Sequence, residues 1–317
     1  MKYRNPVIVA AIAACILALL SCQKEVDRFI PLEEEAFTLD FSALTSSIDD
    51  TAHFSISGLV EQRIHTPAGR QFHFIPGIFE YLDGSDCICE SIRLEIIELK
   101  TKRDYLVHQK PTASGHHRLI SAGAFHIAAF NGFQPLKLKA GKTLVFSLPS
   151  DRPDFEMELF YGEELQEGFT WVQADQQAGT MASVQVVERQ SDSTFFIGYD
   201  CITDRLAWIN IDKLADSGEA NPVCVSMDSL STHRNTVVFA VLVDELSILS
   251  MSPTDDRKYC LRHLPVGARV IFMGVRQLAK DEYEMALKET EIGSDYHVNL
   301  EFVNVTLEEI KSALDDL

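Results

Sequence analysis

Asp154-Phe155-Glu156-Met157-Glu158-Leu159 alternates an acid with an apolar residue. A period of two sends successive side chains to opposite sides of an extended backbone. The stretch therefore predicts a half-buried antiparallel strand with Phe155, Met157 and Leu159 facing inward. The texture continues in both directions. Phe37-Thr38-Leu39-Asp40-Phe41 alternates, and residues 92–99, 124–130, 143–148, 182–187 and 194–199 are short apolar or alternating runs. Residues 237–243, rich in valine, predict a buried strand. Asp83-Gly84, Asn131-Gly132 and Ala140-Gly141 mark tight connections. Little helix-period patterning precedes the C-terminus, so β-sandwiches are the expected architecture.

The end of the chain departs from this pattern. Thr306-Leu307-Glu308-Glu309 has the spacing of a capping box, and Leu307, Ile310, Leu314 and Leu317 recur at helical intervals. Residues 306–317 predict a short helix docked on the last sheet. The expected fold is all-β, with two antiparallel β-sandwich domains in tandem and a short C-terminal helix. The polar, glycine-flanked stretch from Gly162 to Gly168 suggests domains over 37–165 and 166–317. A second polar loop, 216–222, reads as an internal hinge or a long sandwich connection.

At the other end, Lys2 and Arg4 precede an apolar run from Val7 to Leu20, followed by Ser21 and Cys22. Fourteen residues suit a signal-peptide core and fall short of the roughly 20 needed to span a bilayer. Leu19-Leu20-Ser21-Cys22 resembles a lipobox. The resemblance implies a signal peptide over 1–21, cleavage before Cys22 and acylation of that cysteine, palmitate included. Several acyl chains exceed the two-signal threshold for stable anchoring. Residues 22–36 read as a polar tether. Gln23-Lys24-Glu25 with Asp27 resembles the export signal of surface lipoproteins in the phylum Bacteroidota. The implied location is the outer membrane at the cell surface, with the membrane engaged through the acyl chains.

The net charge of −19 opposes binding to nucleic acid or to an anionic membrane surface. Apart from Cys15 and Cys22, the cysteines are Cys87, Cys89, Cys201, Cys224 and Cys260. Their odd number argues against a complete disulfide framework, so buried thiols are expected for most of them, and a bridge between Cys87 and Cys89 would be strained. No CxxC pair supports zinc.

No nucleophile elbow, HExxH, Walker or dinucleotide motif is present, and no catalytic residue, metal or cofactor is expected. His116 and His117, with His108 and His126 nearby, read as loop histidines facing water unless they converge with a carboxylate. Asp83-Gly84-Ser85-Asp86 reads as a hairpin turn lacking the full calcium ligand set. The strand around Trp208 puts Trp208, Asn210 and Asp212 on one face and Ile209 and Ile211 on the other. The trio reads either as a sugar-stacking platform or as a Trp at a sheet edge whose N–H is satisfied by a neighbour.

Ile120-Ser121-Ala122-Gly123-Ala124-Phe125-His126-Ile127-Ala128-Ala129, then Pro135-Leu136-Lys137-Leu138 and Gly141-Lys142, resembles a recurring "S-A-G-M-F-x-I-x-A" segment of uncharacterised Bacteroidota cell-surface lipoproteins. Phe74-Ile75-Pro76-Gly77-Ile78-Phe79 and Lys110-Pro111-Thr112-Ala113-Ser114-Gly115 are similar to their upstream segments. Arg205-Leu206-Ala207-Trp208-Ile209-Asn210-Ile211-Asp212 resembles their "R-L-G-W-I-N-C-D" signature, and Leu264-Pro265-Val266-Gly267 their "L-P-V-G" turn. Ala124, Ala207 and Ile211 depart from that pattern at packing positions. The resemblance implies surface β-sandwich domains and carries over no catalytic residue. The functional expectation is a non-enzymatic binding or scaffold module for a glycan, a protein or an envelope component. The alternative is an extracellular hydrolase that uses a carboxylate pair on polysaccharide or peptide.

Overall fold

The computed structural model describes residues 39 and 50–317, apart from 166–167, 178, 191–194, 216–219, 256 and 294–295. The signal peptide, Cys22 and the tether lie outside the described residues, as does Phe37–Phe41 except for Leu39. Phe37–Leu317 forms one compact unit.

Among the described residues the strands build four sheets. The first runs in the order β1 (Ala52–Ile56), β5 (Ile92–Leu99), β7 (His117–Asn131), β14 (Trp208–Leu214), β10 (Glu158–Leu165) and β11 (Gly168–Gln173). Three short strands, β4 (Phe79–Tyr81), β6 (Ala113–Ser114) and β8 (Gln134–Leu138), pair beside it. The second sheet is β12 (Ser183–Gln190), β13 (Phe195–Thr203), β9 (Leu144–Pro149), β3 (Gln71–Phe74) and β2 (Gln62–His65). The third is β18 (Ser252–Asp255), β19 (Lys258–Pro265), β15 (Ala220–Ser226) and β22 (Tyr296–Asn299). The fourth is β17 (Ile248–Ser250), β16 (Thr236–Leu242), β20 (Arg269–Ala279), β21 (Glu282–Glu291) and β23 (Val303–Val305). The β15–β22 pairing is parallel, and the other strand pairings described are antiparallel.

Three cores hold the sheets together. Ile92, Leu94 and Ile96 from one face of β5 meet Phe72 and Phe146 of the second sheet, closing the first sandwich. Val225 and Tyr259 meet Val238, Ala240 and Phe272, closing the second. A third core joins the two sandwiches. Leu99, Phe160 and Trp171 on the outer face of the first sheet pack with Val241, Met273 and Val275 of the fourth. Helix α1 (Lys102–Val107) adds Tyr105 and Leu106, and helix α2 (Leu307–Asp315) adds Ile310 and Leu314. Each such side chain contributes roughly 1.5–3 kcal/mol. The C-terminal helix forms where the sequence places it. The Thr306 side chain accepts from the Glu309 N–H, and the Glu309 carboxylate accepts from the Thr306 N–H at 2.7 Å.

Three expectations are corrected. The boundary at 165/166 falls inside a hairpin, because Leu165 pairs with Gly168 as β10 turns into β11. Sheet membership changes between β14 and β15, across the loop read as a hinge or long connection. The alternating stretch over residues 154–159 becomes strand only at Glu158. Asp154 accepts from the Glu156 N–H at 2.9 Å and pairs with Lys213 at 2.6 Å, which draws the backbone into a turn and leaves Phe155 exposed. Lastly, Cys224 and Cys260 face each other across β15 and β19 and are bridged, Cys87 and Cys89 are paired, and Cys201 is a buried thiol. The expectation of a buried thiol holds for Cys201 and fails for Cys224 and Cys260, because register, which sequence spacing does not reveal, opposes them.

Candidate functional site

The alternation of β14 is as read, with Ile209 and Ile211 in the first core and Trp208 on the other side against the third. That second side is covered. Asn210 and Asp212 are fully buried, so the expected ligand trio does not form an open face. Instead the Ser121 hydroxyl donates to Asn210 Oδ1 at 2.8 Å, and Asn210 Nδ2 donates to Asp212 Oδ2 at 2.6 Å. The Tyr105 hydroxyl lies 2.7 Å from Ser121 Oγ. Burial pushes the Asp212 carboxyl well above the usual carboxylate range. Burial, and then the nearby Asp212, push the Tyr105 hydroxyl up as well. This polar chain lies buried in the seam between the sandwiches, with Ser121 retaining 8% exposure.

Trp208 is half-buried at the edge of the seam. His126 lies beside it at a tilt, with ring centres 5.0 Å apart, and His108 is at 6.1 Å. The Lys110 ammonium lies 4.1 Å from the centre of Phe169 and 5.1 Å from that of Trp208, and pairs with Glu164 at 2.5 Å. Burial, and then the Lys110 charge, lower the His126 pKa below its ordinary value. Gly162 makes this packing attainable, since a Cβ there would fall 2.6 Å from the Cβ of Trp208. His116 and His117 are not drawn into the cluster, since both are exposed. Among the described residues, no three His, Cys, Asp or Glu side chains are placed to hold a metal. Asp83 accepts from the Ser85 N–H at 2.9 Å and the Ser85 hydroxyl at 2.6 Å, making the hairpin turn read from the sequence.

The segment after α1 carries this cluster into a pocket. Gln109 adopts a left-handed conformation, φ 52°, turning the chain between His108 and Lys110. Gln109, Pro111 and Phe169 from the first sandwich meet Phe239, Met251 and Tyr259 from the second around a cavity of about 330 Å³. The Trp171 indole N–H donates to the Pro111 carbonyl at 2.9 Å, fixing that wall. Phe169 stands edge-on to Trp171 at 4.8 Å. The Tyr259 hydroxyl donates to the Thr236 carbonyl at 2.9 Å, which leaves its ring to line the cavity. Two other depressions differ in character. One of about 560 Å³ beside α1 is lined by Lys100, Lys102, Arg103, Asp104 and Asp315 with Leu246, Leu314 and Leu317, and Arg103 and Asp315 pair at 2.7 Å. Another, of about 240 Å³, brings together Glu158 and Asp175. Burial, and then the Asp175 charge, raise the Glu158 carboxyl.

The sequence reading missed Gln109, Lys110 and Phe169. Their only local signal is the Lys110-Pro111 step in a connecting loop, and the partners that make them a site come from distant strands. No protein-family model matches the chain, and no curated protein matches it. Among the described residues no helix is long and apolar enough to cross a membrane.

Proposed function

We propose that this chain is a lipid-anchored outer-membrane protein at the cell surface, acting as a non-enzymatic binding or scaffold module for an envelope component, a protein or a glycan. The observation that carries the reading is the pocket at the junction of the two sandwiches. Its walls come from both, and the shared core beneath it holds them in register, so a ligand meets a preformed cavity with little ordering cost. Cys22, as the acylated residue, supplies the anchor, and residues 22–36 the tether.

Two measurements test this reading. Cys22→Ala is expected to abolish labelling by a palmitate analogue and to release the protein from the membrane fraction, and retention with label would sink the anchor. Protease shaving of intact cells is expected to cleave the body, and protection until lysis would place it in the periplasm. For the pocket, the full-length protein is screened against immobilised envelope glycans and peptides beside a Ser250→Trp variant that fills it. Ligands held equally by both forms would remove the pocket from the reading.

A hydrolase is the second reading, favoured by the juxtaposition of Glu158 and Asp175 in one depression. A general acid needs a raised pKa beside an ionised partner. Turnover of any envelope polysaccharide or peptide that Glu158→Gln abolishes would establish it over the binding role.

A further inference from the structure

We infer that the junction pocket receives an uncharged, largely apolar side chain presented together with an amide, as a peptide segment presents Trp, Phe or Leu. This rests on the reading of the pocket as the binding site and specifies its occupant. The first argument is charge. Asp, Glu, Lys and Arg make up 24% of the chain. The depression beside α1 is lined by five of them, and the one that holds Glu158 by two. Among the described residues, none lines the junction pocket. Lys110, next in sequence to two lining residues, sets its ammonium against the Phe169 ring and is neutralised by its pair with Glu164. A cationic ligand would find no carboxylate in this lining, and an anionic one would meet only the exposed imidazole of His233.

The second argument is the shape and chemistry of the walls. Phe239 and Tyr259 are buried to 6% and 3% exposure, so little of either ring is open to stack on a sugar. A sugar is gripped by an open ring face together with many hydrogen bonds. Phe169 is half-exposed, and Met251 and Val237 complete an aliphatic lining suited to an apolar side chain. Gln109 and Ser250, both exposed, bring an amide and a hydroxyl to the lining, matching the donor and acceptor of a peptide unit.

The test uses the full-length protein in detergent and ligand-observed fluorine NMR. The probes are N-acetyl-5-fluorotryptophanamide, its free acid, 5-fluorotryptamine and a fluorinated methyl glucoside. Ser250→Trp and Pro253→Trp, both at exposed positions, fill the pocket from two sides and set the background from the micelle. The expected result is line broadening of the neutral amide that falls at least tenfold in both variants, with the thermal midpoint unchanged. Equal binding of the charged analogues would overturn the inference. Binding of the glucoside alone, blocked by both variants, would overturn the ligand class and leave the pocket as the binding site. Absence of binding by every probe would overturn the inference, and the envelope screen would then decide the binding-module reading separately.

Discussion

The Thr112 N–H donates to the Ile248 carbonyl at 2.7 Å, and the Ile248 N–H donates to Thr112 Oγ1 at 2.8 Å. Both residues are buried, and the pair stitches the loop after α1 to β17, the edge strand of the fourth sheet. The edge of the second sandwich is thereby satisfied by the first. Thr112→Val keeps the shape and removes the acceptor, leaving the Ile248 N–H buried without a partner. A loss of about 1–3 kcal/mol is expected in denaturant unfolding, with faster hydrogen exchange at Ile248. Unchanged exchange would mean that water replaces the hydroxyl.

Asp212 sets a pH dependence. Its carboxyl stays protonated in the folded chain well above 3.8, while the unfolded chain loses that proton near 3.8. The stability it contributes is complete below that value and is lost as pH rises through the folded pKa. Asp212→Asn does not ionise, so its thermal midpoint is expected to exceed that of the wild type at pH 7 by at least about 2 °C, with the gap closing near pH 4. Parallel curves across that range would show that Asp212 ionises without cost.

His126 works in the opposite sense. Its folded pKa lies below 6.5, so the stability it contributes is present above 6.5 and is lost as pH falls through the folded value. The chain has two tryptophans. Trp171→Phe therefore leaves Trp208, 5.0 Å from His126, as the sole indole reporter. Its fluorescence is expected to titrate with a midpoint below 6.5. Adding Lys110→Met removes one of the lowering influences and shifts the midpoint upward. A midpoint that ignores Lys110 would assign the shift to burial alone.

Gly162 admits no side chain without displacing Phe169 or Trp208. Gly162→Ala is expected to cost about 1–3 kcal/mol by overpacking and to weaken ligand capture at the junction, because Phe169 is one of its walls. Urea unfolding and the fluorine NMR assay read the two effects separately. A variant as stable as the wild type would show that the Phe169 ring is free to move aside.

Local chemistry made much of this molecule legible. Residues 92–99 read as a strand and are β5, since period-two burial is written residue by residue. Thr306 and Glu309 specify their helix start within four residues, because a capping box closes on its own backbone. Asp154–Met157 shows the limit of this kind of reading. The same alternation suits a strand or a turn, and the turn won through Asp154 and its distant partner Lys213.

By itself the sequence determined the all-β class, most strand positions, the C-terminal helix and the faces of β14, all of which depend on contacts within a few residues. Only the tertiary structure decided that the β14 face bearing Asn210 and Asp212 is sealed, that residues 168–214 belong with the first sandwich, and that a pocket opens at the junction. The physical reason is that burial and register depend on which surface is brought against which. Gln109, Phe169 and Tyr259 become one site only after sheets distant in sequence share a core.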